Sequence, residues 1–127
     1  MKTLSAVMLL ITILLFSGEV ARGGGDDPES ANREAVRADL SRLASRAQHF
    51  YRTPSILGGG QGDFDGLTLS VLTMKAINAN GTYTLTSAAG QTAVMEGYGT
   101  QLGYDVSTVV HITVTILSDS SYFTEVN

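Results

Sequence analysis

The sequence contains no cysteine and no tryptophan, and only two prolines and two histidines among its 127 residues. The absence of cysteine excludes disulfides, thiolate metal ligands and cysteine nucleophiles, so a folded domain must be held together by its core alone. Charged residues make up only 16% of the chain, and glycine, serine and threonine are plentiful. This composition favours a β-rich surface of hydroxyls and turns, and the length predicts one domain.

Basic residues are in the minority, and the formal net charge is −4. Phosphate binding requires a basic face, so no nucleic-acid partner is expected. The one basic cluster, residues 33–52, is interleaved with Glu34 and Asp39. That pattern is typical of a solvated helix surface.

A single long hydrophobic run, residues 4–16, follows Lys2. As a helix it would be about 20 Å long, short of the roughly 30 Å hydrocarbon core, which favours a signal peptide. Extended over residues 3–20 it approaches the length of a membrane anchor, so residues 1–23 are interpreted as one or the other. Both interpretations predict export of the chain that follows. The residues expected to insert into a membrane are Leu4, Val7, Leu9, Leu10, Ile11, Ile13, Leu14, Leu15 and Phe16.

An amphipathic helix is predicted over residues 30–52, after a flexible linker at residues 24–30. Acidic residues and Pro28 mark its start, and Pro54 disfavours helical geometry at Thr53 and so marks its end. Apolar residues recur at steps of three and four and form one stripe. The residues of this stripe expected to pack on a sheet are Val36, Leu40, Leu43, Ala47 and Phe50. The side chains expected to project away from it are Arg37, Asp39, Arg42 and Arg46, with Glu34 and Arg37, and Asp39 and Arg42, at pairing distance.

Strands are predicted beyond Gly66, where the apolar period changes from 3.6 to 2. The first covers residues 67–77, and Asn80 and Gly81 then form a hairpin turn into residues 82–86. A turn at residues 88–90 leads to residues 91–95, and a short last strand runs over residues 122–126. Residues 110–116 show the clearest strand alternation, and the residues expected to face inward there are Val110, Ile112, Val114 and Ile116. Residues 31–127 are therefore expected to form an α+β domain with a four- to five-stranded antiparallel sheet.

Catalytic and metal-binding signatures are weak. His49 and His111 lack a third ligand at suitable spacing, and the sequence has no Gly-x-Ser-x-Gly elbow, so neither an enzyme nor a cofactor is expected. Asp63 and Asp65 in the glycine-rich loop are weak calcium candidates, because an EF-hand needs further ligands.

Five segments follow one another along the chain: the N-terminal apolar segment, ANREAVRADLSRLASRAQHFYR, GGGQGDFDGL, GTYTLTSAAGQTAVMEGYGT and VVHITVTI. In this order they resemble small bacterial pilin-like and pseudopilin-like proteins. The resemblance covers most of residues 31–127. It implies a type IV pilus or type II secretion subunit in the cell envelope, whose helix joins a membrane-embedded part to a globular sheet domain. Its implied partners are like or related subunits.

Two principal functional hypotheses follow, beside a further alternative, a cryptic hydrolase or calcium-dependent protein, which would show a concave cluster of aspartates or histidines in the structure. The first is a non-catalytic structural subunit of a pilus-like or pseudopilus-like envelope assembly, tethered to the membrane or part of an extracellular filament. The second is a secreted, soluble binding module with a cleaved signal peptide, which would use the loop at residues 96–105 or the polar strand face around His111.

Overall fold

The computed structural model describes residues 27–127, where one helix packs on a four-stranded antiparallel sheet. In chain order the elements are α1 (Pro28–Arg52), a 3-10 turn (Ser55–Leu57), β1 (Gly81–Ala89), β2 (Thr92–Leu102), β3 (Val109–Ile116) and β4 (Ser121–Glu125). The strands lie in the sheet in the order β1-β2-β3-β4, and every neighbouring pair is antiparallel. The α+β class is confirmed, with four strands.

Residues 32–127 form one compact unit, which contains the sheet and its core. The apolar run at residues 4–16, with all nine residues expected to insert into a membrane, lies outside the described residues. Within the described part of the chain, no helix has both the length and the apolar character needed to cross a bilayer.

Helix α1 begins two residues earlier than predicted and therefore includes part of the expected linker. The Asp27 carboxylate accepts a hydrogen bond from the backbone N–H of Ser30 at 2.8 Å, which caps the first turn, and Pro28 occupies the first helical position. At the other end, the Thr53 hydroxyl donates to the carbonyl of His49 at 2.6 Å and Pro54 follows. The predicted end of the helix is confirmed.

The apolar stripe of α1 and the inward face of the sheet form one core. All nine residues predicted for it are at most 8% exposed. The other buried residues in this core are Ala44, Phe64, Leu67, Leu72, Tyr83, Ala93 and Met95. Gly97 on β2 lets the helix approach closely, because a Cβ there would lie 2.8 Å from Cγ1 of Val36 and 3.2 Å from Cδ1 of Leu40.

The predicted strand at residues 67–77 is wrong, because this segment forms consecutive turns. Its backbone groups are bonded locally: the N–H of Leu72 donates to the carbonyl of Thr68 at 3.2 Å, and that of Thr73 donates to the carbonyl of Ser70 at 3.0 Å. Leu67 and Leu72 are buried, whereas Val71 is exposed, contrary to strand alternation. Packing on the core overrides the local β preference.

The chain reverses near Asn80 and Gly81, where the N–H of Asn78 donates to the carbonyl of Gly81 at 3.0 Å, but the predicted two-residue form of this hairpin turn is wrong. Gly81 is the first residue of β1, and only an isolated bridge joins Ile77 to Thr82. The two-residue turn lies instead between β1 and β2, where Gly90 has φ of 60°. A positive φ there suits glycine, and a turn at this point was predicted.

The sequence predicted that Asp39 projects into solvent. In the structure it is instead fully buried between α1 and β1. One carboxylate oxygen accepts hydrogen bonds from the Tyr83 hydroxyl at 2.5 Å and from the side-chain amides of Asn78 and Asn80 at 3.0 Å each. The other oxygen accepts from the Arg42 guanidinium, confirming the expected pairing of Asp39 with Arg42. We name these five residues the Asp39 network.

The pKa values of Asp39 and Tyr83 reflect this arrangement. Burial raises the pKa of Asp39, but the hydrogen bonds from Tyr83, Asn80 and Asn78 and the charge of Arg42 outweigh it, so the pKa is lowered from 3.8. Burial raises the pKa of Tyr83, and the hydrogen bond to the Asp39 carboxylate raises it further. The network therefore holds an ionised carboxylate and a protonated phenol side by side in the interior.

Replacing Leu40 with alanine should lower the free energy of unfolding by about 2–5 kcal/mol, because it leaves a cavity between helix and sheet. Leu57→Ala is the matched control, since Leu57 is 73% exposed and its loss should change stability by at most about 0.5 kcal/mol. Urea denaturation followed by far-UV circular dichroism measures both. Equal losses for the two variants would contradict the described core.

Tyr83→Phe should lower the free energy of unfolding at pH 7 by about 1.5–3 kcal/mol, because a buried carboxylate loses one donor. Since the pKa of Asp39 is depressed in the folded state, its stabilisation is present above pH 3.8 and is lost as the pH falls through the folded pKa. Losing the Tyr83 hydroxyl raises the folded-state pKa of Asp39 towards its value in the unfolded chain. The free energy of unfolding should therefore fall less steeply as the pH is lowered.

Denaturation between pH 2 and pH 7 measures this effect, with Tyr122→Phe as control because Tyr122 is 56% exposed on β4. An acid dependence as steep in Tyr83→Phe as in the unmodified protein would show that Asp39 is not held by this hydroxyl.

Candidate interaction surfaces

The sheet face opposite α1 carries a polar cluster around Glu96 of β2. Its carboxylate accepts hydrogen bonds from the hydroxyls of Thr86 at 2.6 Å and Tyr98 at 2.7 Å. The Nε2 atom of His111, on the neighbouring strand, lies 2.8 Å from the same carboxylate. The rings of Tyr98 and His111 stack with their centroids 4.2 Å apart. We name these four residues the Glu96 cluster.

The hydrogen bonds of the Glu96 cluster change its acidity. Bonds from Thr86, Tyr98 and His111 lower the pKa of Glu96, and the bond to that carboxylate raises the pKa of Tyr98. Glu96 is thus an anion at neutral pH, and three side chains contact its carboxylate at hydrogen-bond distance. The cluster offers a partly exposed, negatively charged site on a surface rich in threonine.

The loop between β2 and β3, residues 103–108, exposes apolar side chains beside an acidic one. Tyr104 is 65% exposed and Val106 is 74% exposed, and Asp105 stands between them in the sequence. The Tyr104 hydroxyl donates to Glu125 at 2.8 Å, and the guanidinium carbon of Arg33 lies 3.8 Å from the centre of the Tyr104 ring. We name Tyr104, Asp105 and Val106 the knob.

Polar contacts hold the knob in one conformation. The Asp105 carboxylate accepts from the backbone N–H groups of Ser107 and Thr108, both at 2.9 Å, and from the Thr108 hydroxyl at 2.7 Å. The Asn127 side chain donates to the same carboxylate at 3.2 Å and to the carbonyl of Val109 at 3.1 Å. The bonds from Thr108 and Ser107 hold the pKa of Asp105 well below its usual range.

Two β-branched residues have a backbone conformation that such residues rarely adopt. Thr73 has φ of 55° and Val106 has φ of 52°. In this left-handed region the side chain of a β-branched residue meets the backbone, and the strain persists only where surrounding contacts impose it. Residues strained in this way cluster at functional sites, which directs attention to the knob and to the loop that contains Thr73.

Thr73 lines a groove of about 480 Å³ beside the last turns of α1. Its wall includes Arg46, His49 and Phe50 of the helix together with Leu57, Val71 and Thr73 of the following loops. The Arg46 guanidinium donates to the carbonyl of Leu72 at 3.0 Å, which fastens the loop to the helix. The volume lies within the range of ligand-binding clefts. We name this feature the groove.

The start of α1 is bonded to the side of the sheet that carries the knob. The residues that make this contact are Arg33, Arg37 and Glu125. Glu125 pairs with Arg37 at 2.5 Å and with Arg33 at 3.4 Å. Arg33 also donates to the backbone carbonyl of Asn127 at 3.1 Å. The knob therefore lies near the start of α1, whereas the groove lies near its end.

The weak calcium candidates lie against the β1–β2 turn. Asp63 accepts from the backbone N–H groups of Asp65 at 2.7 Å and Gly90 at 3.1 Å, and Asp65 accepts from that of Gly90 at 3.4 Å. Between residues 27 and 127, no group of three or more histidine, cysteine or acidic side chains is placed to hold a metal ion. Both aspartates here bond the backbone of a turn.

The structure separates the residues singled out from the sequence. His49 lies on the groove, whereas His111 belongs to the Glu96 cluster and the loop at residues 96–105 leads into the knob. The groove itself was not predicted, because residues 71–73 were assigned to a strand. The sequence does contain one signal for the knob, the run Tyr-Asp-Val between Gly103 and the β3 strand.

No protein-family model matches the chain, and searches of curated proteins and of solved structures also find no match. The resemblance to pilin-like proteins therefore depends on the motifs and on their order along the chain.

Asp105→Ala should release the knob, because the N–H groups of Ser107 and Thr108 lose their acceptors. Hydrogen exchange at these two amides should become several-fold faster, with little change at the amides of β3. Asp119→Ala, in the exposed β3–β4 turn, is the control. NMR-detected exchange measures the rates, and unchanged protection of Ser107 and Thr108 would refute the role of Asp105.

Proposed function

We propose that this chain is a non-catalytic structural subunit of a pilus-like or pseudopilus-like assembly in the cell envelope. The observation that carries the proposal is the order of the chain: an apolar N-terminal run, then one helix whose stripe covers a single face of an antiparallel four-stranded sheet. The resemblance to pilin-like sequences implies the same order. In this proposal residues 4–16 anchor the subunit in the membrane, and residues 32–127 form its globular part.

The nature of the core supports a structural role. The Asp39 network neutralises a carboxylate within the interface between helix and sheet, and its donors come from the helix itself and from residues 78–83 at the start of the sheet. A buried charge with partners in this geometry favours one relative placement of helix and sheet. An assembly subunit needs such a fixed frame, because its contacts repeat in every copy.

Cell fractionation tests the proposal. The full chain should remain in the membrane fraction with residues 4–16 intact by mass spectrometry, and sheared surface material should contain filaments labelled by an antibody to this chain. A soluble chain that begins near Gly24, with no labelled assembly in electron micrographs, would refute the proposal.

The Glu96 cluster favours a second candidate, a secreted binding module with a cleaved signal peptide. Its carboxylate, phenol and imidazole lie together on the sheet face opposite α1. A chain beginning near Gly24 in the culture medium would support this candidate. Glu96→Gln should then abolish capture of a ligand from that medium, whereas Asp119→Asn, in the distant turn, should not.

A further inference from the structure

We propose that two copies of this chain pair through strand β4, antiparallel about a two-fold axis at Phe123, so that their sheets join edge to edge. β4 (Ser121–Glu125) is the last strand in the order β1-β2-β3-β4, and within residues 27–127 no strand lies on its other side. Such an edge presents N–H and C=O groups that a further strand can bond. Pairing of this kind is compatible with a structural subunit and with a secreted binding module.

The ladder with β3 determines which backbone groups of β4 face the open edge. The N–H of Val126, directly after β4, donates to the carbonyl of His111 at 2.9 Å, and the register with β3 is regular along the whole strand. Bonding to one neighbour alternates from residue to residue in an antiparallel pair. The even-numbered residues of β4 therefore bond β3. The residues that direct their N–H and C=O groups to the open edge are Ser121, Phe123 and Glu125.

The opposite edge of the sheet is protected, whereas β4 is not. The N–H of Tyr83 in β1 donates to the carbonyl of Ala76 at 2.7 Å, and a register shift between Leu85 and Ser87 makes that strand irregular. Covered or irregular edges resist pairing with another sheet, as do edges that carry lysine or proline. β4 is regular, and its sequence Ser-Tyr-Phe-Thr-Glu contains neither residue. Pairing through β4 alone would therefore end at two copies.

The backbone of β4 is complementary to itself in the register centred on Phe123. Antiparallel pairing about this residue places Phe123 opposite its own copy and Ser121 opposite Glu125. Each of these pairs would exchange two N–H···O bonds. Every outward backbone group of the strand is then bonded, and the same residues of both copies form the contact, as a two-fold interface requires.

The side chains that meet in this register are also compatible. Phe123 packs against the core and would contact its own copy on the face that carries α1. Tyr122, which is 56% exposed, would lie opposite Thr124 on the other face, because side chains alternate along a strand. Pairs of aromatic residues, and of an aromatic with a β-branched residue, stabilise antiparallel strands. A strand of this sequence is therefore a suitable partner for itself.

Charge does not oppose the contact. Glu125 is the charged residue of β4, and it would lie opposite the uncharged Ser121. Its carboxylate is paired with Arg37, whose guanidinium carbon lies 4.8 Å from the centre of the Phe123 ring. An edge of five residues buries less than the roughly 800 Å² per partner of a standard stable interface. The pairing should therefore be weak in dilute solution and populated where copies are concentrated.

Disulfide trapping tests this register, because the chain contains no cysteine. Full-length chains carrying Tyr122→Cys or Thr124→Cys, with tags of different length, are co-expressed and mildly oxidised. In the proposed pairing the Cα atoms of these two positions face each other at about 4.5 Å, whereas each lies about 7–8 Å from its own copy, beyond the reach of a disulfide. The mixed dimer should therefore exceed either homodimer by about tenfold.

Ser121→Pro, added to both chains, removes an N–H that points to the open edge. Proline is tolerated at the first residue of an edge strand, so bonding to β3 should be retained. The mixed dimer should become several-fold less abundant, whereas Ser121→Ala, which keeps the N–H, should leave it unchanged. Circular dichroism of both variants checks that the fold is retained.

A mixed dimer no more abundant than random collision of the two cysteines produces, or an excess of either homodimer, would overturn the pairing. Equal trapping in folded Ser121→Pro and Ser121→Ala chains would overturn it as well. An excess of mixed dimer that only Ser121→Pro reduces would support it. These results are read separately from the location of the chain, so failure of the pairing is distinguishable from failure of the proposed structural role.

Discussion

A buried negative charge is the constraint on which the rest of this structure depends. Asp39 lies on the apolar stripe of α1 with none of its surface exposed, so its carboxylate must be compensated within the protein. Compensation requires Tyr83 from β1, Asn78 and Asn80 from the preceding loop, and Arg42 from the next turn of the helix. Helix, loop and sheet edge therefore have a single mutual arrangement in which every partner is in place.

Further polar contacts extend this arrangement along the helix. Near its start, the Asn32 side chain donates to the carbonyl of Asn80 at 2.8 Å and accepts from the N–H of Thr100 at 2.9 Å. Near its end, the Gln48 side chain donates to the carbonyls of Leu117 at 3.1 Å and Ser120 at 3.0 Å, in the β3–β4 turn. Burial of the apolar stripe stabilises the packing of the helix on the sheet, whereas these directional contacts set the position of the helix over it.

Elements with a strong apolar period were predictable from the sequence. The helix stripe from Val36 to Phe50 and the alternation from Val110 to Ile116 repeat often enough to identify both the element and its buried face. Residues 67–77 also alternate, but they form turns, because pairing depends on distant strands that local pattern does not reveal. Leu67 and Leu72 reach the core without a strand.

The polar contacts were harder to predict, since a charged residue is normally assigned to the surface. Asp39 nevertheless stands three residues after Val36 and four before Leu43, within the apolar stripe, which was a readable sign of burial. Arg42 is within pairing distance on the helix, but Asn78, Asn80 and Tyr83 lie about forty residues away, and nothing in their spacing identifies them as partners. The groove and the strained φ values at Thr73 and Val106 likewise arise from tertiary packing.

The order of the strands has a consequence for how quickly this molecule forms. Each strand pairs with its neighbour in sequence through short connections, so pairing within the sheet has the low contact order associated with rapid folding, whereas docking of α1 joins residues as far apart as Arg33 and Glu125. A cysteine-free chain also has no thiol exchange to wait for, the slowest covalent step in many exported domains. The molecule can therefore regain its native state without an isomerase for disulfides.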